Sequence, residues 1–194
     1  DDPEGALWKR SMIDEHRHVS APKGLARIVV GVDPAVTGSE TSDETGIVVV
    51  GKDAAGHLYV LGDYSVRGTP LDWARKVAWA VDKHGADRVV GEVNNGGDLV
   101  EVNLRTVSKN LPFKKVSASR GKYIRAEPVA ALYEKGEVHH VGAFPELEDQ
   151  MCEWLPGDES PDRMDALVWA ITELASGPGH VTIPPEWLSF GGAR

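Results

Sequence analysis

Between residues 27 and 66 the chain alternates apolar runs with short polar breaks. RIVVGVD (27–33) and TGIVVVGKD (45–53) are near-continuous apolar stretches of strand length, which predicts buried strands. AAG (54–56) forms a tight turn, and HLYVLGDYSV (57–66) follows as a third strand. Connections this short favour antiparallel hairpins. The period then lengthens. TPLDWARKVAWAVDKHG (69–85) carries its apolar residues at helical spacing, with Thr69 as N-cap, Pro70 in the first turn and Gly85 as the stop. DRVVGEV (87–93) is a fourth strand, NNGGD (94–98) a flexible loop, LVEVNLRTVSKN (99–110) a helix and FKKVSAS (113–119) a fifth strand. KYIRAEPVAALYEKG (122–136) reads as a helix kinked at Pro128 and ended by Gly136. EVHHVG (137–142) is a short extended piece, and FPELEDQMCEWL (144–155) and PDRMDALVWAITELA (161–175) are helices.

This order, β-β-β-α-β-α-β-α with further helices, predicts an α/β fold. Its mixed sheet is an antiparallel three-stranded meander continued by two parallel strands, with helices on both faces. Ribonuclease H-like folds have this order. Residues 1–26 are polar, broken by Pro3, Gly5, Pro22 and Gly24, and include the helical pattern ALWKRSMIDEHR. They read as a linker or arm, residues 27–176 as the domain, and the Gly- and Pro-rich residues 177–194 as a tail.

Composition narrows the class. The chain has 194 residues, 41% hydrophobic and 26% charged, which suits one globular domain. Its single cysteine, Cys152, excludes an internal disulfide framework and points to a reducing compartment. No apolar run reaches the roughly 18–20 residues of a membrane span. The opening DDPEG is neither Met nor a basic-then-apolar leader, so the chain reads as a piece of a longer protein without a secretory signal. The net charge of −9 argues against a partner held mainly by electrostatics, such as DNA.

Three carboxylates change that picture. Asp33 ends the first strand and Glu92 the fourth, and these strands are neighbours in a ribonuclease H-like sheet. Asp165 lies on the last helix, where the apolar run ALVWAI after it pulls its surroundings inward. Alone, each has a plainer role: a turn former beside Pro34, a lysine partner, a helix N-terminal charge. Together in one pocket they repel unless a cation neutralises them. Hard oxygen ligands favour Mg²⁺ or Mn²⁺, and two such ions about 4 Å apart serve phosphodiester hydrolysis. Asp43, in the loop after the first strand, is better read as solvated.

The stretches RIVVGVDPAVTGSETSDETGIVVVG, RVVGEVNNGGDLV, RGKYIRAEPVAALYEKGEVHHVG and DRMDALVWAITEL cover most of the chain. With DDPEGALWKRSMID as a linker, the sequence resembles the C-terminal nuclease domain of the large terminase subunit of tailed bacteriophages. The resemblance implies a metal-dependent endonuclease that cuts concatemeric viral DNA within a packaging motor, in the host cell cytoplasm. It carries the metal-binding triad onto Asp33, Glu92 and Asp165, with Asp162 helping to hold a second Mg²⁺ or Mn²⁺ ion. It also implies double-stranded DNA, a portal protein, a small terminase subunit and an ATPase domain as partners. No GxxxxGK[ST] phosphate loop is present, so the ATPase half is absent from this chain.

Lys114, Lys115, Arg120, Lys122 and Arg125 gather around the fifth strand and the next helix, where they can guide a phosphate backbone or form a solvated face. Lys122 and Arg125 are the best-placed pair. Adjacent His139 and His140 face opposite sides of an extended segment, a poor zinc pair, and read as structural. Cys152 reads as a core residue, and Trp73, Trp79, Trp154 and Trp169 as core or interface. Three rival functions share parts of the pattern. A Holliday-junction resolvase uses the same carboxylate logic, usually as a basic dimer. A sugar-kinase or actin-like ATPase needs two large lobes. A non-catalytic docking module would have lost a ligand, and here the three positions are filled.

Overall fold

The computed structural model describes residues 2–34, 44–93, 97–117 and 122–176; the side chains of residues 97, 98 and 122 lie outside the description. A seven-stranded mixed sheet stands at the centre. Strands β1 (Arg27–Asp33), β2 (Glu44–Lys52) and β3 (Leu58–Asp63) form an antiparallel meander. A two-residue β4 (Val66–Arg67) pairs with the start of β2. Strands β5 (Arg88–Glu92) and β6 (Phe113–Val116) extend the sheet in parallel beyond β1, and β7 (Val138–His140) adds in parallel to β3. The path across the sheet is β6-β5-β1-β2-β3-β7. The expected meander and its two parallel partners are therefore present. The short extended piece at residues 137–142 supplies one more strand, held by register with Leu58–Val60.

Both faces are covered, which explains the near-continuous apolar runs. Val30, Val32, Val49 and Val89 bury against α2 (Pro70–His84), with Leu104 of α3 (Gly97–Val107) in the same cluster. Val29, Val48, Val50 and Val90 point the other way. They share a core with α1 (Arg10–Asp14), α4 (Lys122–Glu134), α5 (Pro145–Glu153) and α6 (Asp162–Ala175). Helix α2 starts with a reciprocal Thr69–Asp72 capping box and stops at Gly85, whose φ is +61°. Helix α4 continues through Pro128.

Residues 2–26 do not project as an arm. Trp8 and Ile13 are fully buried, and Trp8 packs edge-on against Tyr133 and beside Trp154. Arg10 and Arg17 tie this segment to Glu148 of α5, and a bridge from His18 to Val141 fastens it beside β7. A large aromatic and a branched apolar side chain outweigh the segment's polar composition, because burying them removes a large apolar area from water. The expected tail, residues 177–194, lies outside the described residues.

Candidate metal and phosphate site

The strand ends set the site. In β1–β5, Val32 is in register with Gly91, so the next residues, Asp33 and Glu92, end their strands side by side. Asp33 also pairs across to Gly46. By alternation, Asp33, Gly46 and Glu92 lie on the face that carries Val29, Val48 and Val90, the α6 face.

Helix α6 lies unusually close to this face. A Cβ on Gly31 would overlap the carbonyl oxygen of Ala166, and one on Gly46 would overlap that of Asp162. These two glycines let the first turns of α6 rest on the backbones of β1 and β2, a close approach only a residue without a side chain permits. Asp162 and Asp165 are thereby brought over the strand ends. Asp165 is buried and accepts a hydrogen bond from Ser160. Four residues on, Trp169 lies on the same side of the helix. It donates through Nε1 to Oε2 of Glu92 at 3.1 Å. The same Glu92 oxygen receives Nη1 of Arg125 at 3.2 Å, and the Arg125 guanidinium stands 4.4 Å over the Trp169 ring. Glu92 is itself buried.

The start of α6 is anchored separately. Arg163 donates to both carboxylate oxygens of Glu44 at 2.8 and 3.0 Å and to Asp63 at 2.6 Å, and its backbone N–H bonds Gln150. Burial works against the Arg163 charge, yet Glu44 and Asp63 outweigh it and raise the guanidinium pKa further. The far end of the same helix side carries Glu173, which binds Arg27, Arg88 and Lys114. Burial opposes its ionisation, but Lys114 and Arg27 hold its carboxyl below the ordinary range.

The basic residues separate. Lys114 is committed to Glu173, two helical turns, or roughly 12 Å, along α6 from Asp165. Lys115 points to the other face and pairs with Glu101 of α3. Arg125 has its side chain against a strand-end carboxylate, Glu92. Lys122 begins α4, its side chain not described, and Arg120 and Asp43 lie outside the described residues. Of the other residues singled out, Cys152, Trp73, Trp154 and Trp169 are buried, whereas Trp79 is exposed between Lys76 and Lys83. His139 and His140 are buried with separate partners, His57 for one and Tyr133 and Glu148 for the other.

Among the described residues no three His, Cys, Asp or Glu side chains converge closely enough to hold a metal ion. Chemically, however, the donor set suits a hard divalent cation: two carboxylates, Asp33 and Glu92, at neighbouring strand ends and a third, Asp165, on the helix above them. Two of them, Glu92 and Asp165, are turned onto protein donors. Arg125 is expected from the sequence as a phosphate-backbone candidate, but its contact with Glu92, and the parts played by Ser160, Arg163 and Trp169, are not. One signal was available: Asp165, Trp169 and Glu173 recur every fourth residue and so share a helix side.

Comparison with known proteins agrees with this architecture. The family described as Terminase RNaseH-like domain matches residues 30–174. The crystal structure of the large terminase nuclease from thermophilic phage G20c superposes with a TM-score of 0.61 at 14% identity, covering 85% of this chain and 99% of that one. The same nuclease with bound cobalt gives 0.66 at 14% identity, covering 88% and 98%. The HK97 bacteriophage large terminase gives 0.66 at 12% identity, covering 89% of this chain and 43% of that one, so this chain spans less than half of that protein. Identities this low show the fold alone. No curated protein sequence matches the chain significantly. On the family match over most of its length, the chain belongs to the family described as Terminase RNaseH-like domain.

Proposed function

We propose that this domain is a metal-dependent DNA endonuclease that cuts concatemeric viral DNA during packaging. The observation that carries the reading is the in-register pair of strand-end acids, Asp33 and Glu92, beneath a helix seated on Gly31 and Gly46 and bearing Asp162 and Asp165. Asp33, Glu92 and Asp165 would hold Mg²⁺ or Mn²⁺, with Asp162 assisting a second ion. Bound ions there would supply an activated water and charge stabilisation for the leaving oxygen of a phosphodiester. The G20c nuclease has been crystallised with bound cobalt, magnesium and zinc, which supports divalent-ion use on this fold.

The chain's own groups prepare the site. Gly31 and Gly46 set the height of α6 above the strands, and Arg163 fixes its first turn through Glu44 and Asp63. Ser160 and Trp169 orient Asp165 and Glu92 by hydrogen bonds. Arg125, with Lys122 and Arg120 nearby in sequence, would receive the DNA backbone. Lys114 and Lys115 contribute less, because each is paired with a glutamate. A net charge of −9 makes DNA binding by the isolated domain weak and sensitive to salt. The ATPase domain, the portal and the small subunit would then supply most of the hold on DNA in the host cytoplasm.

Plasmid cleavage tests the reading. The purified chain is incubated with supercoiled plasmid and Mn²⁺, Mg²⁺ or EDTA, beside Asp33→Asn and Asp165→Asn variants with unchanged circular dichroism. Cutting that needs metal and is lost in both variants is expected. No cutting with either metal, or cutting that survives both substitutions, would replace this reading with a docking module of the motor.

A further inference from the structure

We infer that Arg125 is a shared positioning group that couples metal binding to DNA binding, by exchanging Glu92 for a backbone phosphate. This rests on the nuclease reading above. The Arg125 side chain is mostly buried, 11% exposed, with its guanidinium stacked on Trp169. Its Nη1 holds Oε2 of Glu92, while Nε and Nη2 are buried without a hydrogen-bond partner. Those two nitrogens form one edge of the guanidinium, the edge that grips two oxygens of a phosphate at once. Buried donors without partners are uncommon, and such a group calls for a ligand. An arginine anchored only for stability would have this edge filled by a carbonyl or a carboxylate, as Arg163 has with Glu44.

Glu92 faces the complementary conflict. Its Oε2 already accepts from both Arg125 and Trp169, and a metal ion needs that carboxylate's oxygens. Metal and Arg125 therefore compete for Glu92, while Glu92 and phosphate compete for Arg125. A phosphate that draws Arg125 away frees Glu92 for metal, and a metal that draws Glu92 away frees Arg125 for phosphate. Each ligand removes the other's competitor, so the coupling is positive and, for binding, equal in both directions. A domain built this way loads its metal fully only where DNA lies in the site. Trp169 reports the exchange, since its indole N–H loses Glu92 when the carboxylate turns.

The test is Mn²⁺ titration of the chain by calorimetry and by tryptophan fluorescence, with and without a short phosphorothioate DNA duplex that resists hydrolysis. For the wild-type chain the duplex is expected to tighten Mn²⁺ binding by about 5- to 10-fold. Arg125→Ala is expected to bind Mn²⁺ more tightly without DNA, with less than about a twofold further gain from the duplex. Arg125→Lys keeps the charge but not the two-pronged edge, and is expected to lose most of the coupling. Trp169→Phe removes the fluorescence response and one grip on Glu92, tightens Mn²⁺ modestly and keeps the coupling. Wild-type binding that ignores the duplex, or coupling that persists in Arg125→Ala, would overturn the inference while leaving the metal site standing. Full coupling in Arg125→Lys would also overturn it, since charge alone would then suffice. Absence of Mn²⁺ binding in the wild-type chain would instead remove the nuclease reading itself.

Discussion

Arg163 is the most informative single position for the architecture of the site. It makes three charge-assisted hydrogen bonds, two to Glu44 and one to Asp63, and the three side chains are 15%, 13% and 4% exposed. Each such bond contributes about 1.5–3 kcal/mol when a charge is involved, and the three are not additive. The larger effect of Arg163→Met is what stays behind: two carboxylates in a place with little water. Removing one partner of a buried ion pair costs about 3–5 kcal/mol for that reason. Met roughly preserves the packing of the aliphatic stem, so the loss is electrostatic. Urea unfolding followed by far-ultraviolet circular dichroism measures it. With a slope of about 2 kcal/mol/M, a 3–5 kcal/mol loss lowers the midpoint by about 1.5–2.5 M. The triple variant Arg163→Met/Glu44→Gln/Asp63→Asn removes the orphaned charges and is expected to recover much of the midpoint. A drop below about 0.5 M for Arg163→Met, or no recovery in the triple variant, would refute the view that this cluster pins the start of α6 over the strand ends.

Further outcomes follow from other contacts. Gly46→Ala drives a methyl group into the Asp162 carbonyl and is expected to cost about 1–3 kcal/mol and to reduce cutting, read by urea unfolding and plasmid cleavage; an unchanged variant would mean that α6 does not sit on β2 there. Trp8→Ala is expected to cost about 3–5 kcal/mol, because residues 2–26 are part of the packed unit; a loss under 1 kcal/mol in the same unfolding assay would show that they dock loosely. Acid sensitivity should appear early. Burial lowers the His139 and His140 pKa values, so between their folded values and the ordinary value near 6.5 the unfolded chain binds protons that the folded chain refuses. Stability is then complete above pH 6.5 and falls as pH drops, by up to about 1.4 kcal/mol per pH unit for each histidine. Midpoints measured from pH 7.5 to 5 check this, and a flat profile, or one unchanged in His140→Gln, would contradict it.

The central sheet was legible because β1, β2, β3 and β5 are apolar runs of strand length with short or helical connections. The short connections give the meander, and the ribonuclease H-like element order places the later strands beside β1. β7 was harder, since three residues carry little periodicity, and its pairing with β3 depends on contacts some 80 positions apart. Residues 1–26 read as a linker or arm because polar residues, glycine and proline dominate them. Burial of Trp8 and Ile13 depends on a cleft built by α4 and α5, which no local pattern reveals. The carboxylates were found by their positions at element ends, a local feature. Their donors were not, because Arg125 and Trp169 reach Glu92 across 33 and 77 residues. Lys114 shows the converse: a lysine next to another basic residue looked available for phosphate, yet Glu173, 59 residues away, occupies it.

Metal-dependent cutting requires that Asp33, Glu92 and Asp165 form one metal-holding group. Anomalous diffraction from crystals of this chain grown with Mn²⁺ tests this most directly. Density is expected between the ends of β1 and β5 and the first turn of α6, with Glu92 withdrawn from Arg125. Manganese bound elsewhere, or crystals soaked at millimolar Mn²⁺ that leave Glu92 on Arg125 and show no peak at these carboxylates, would contradict it.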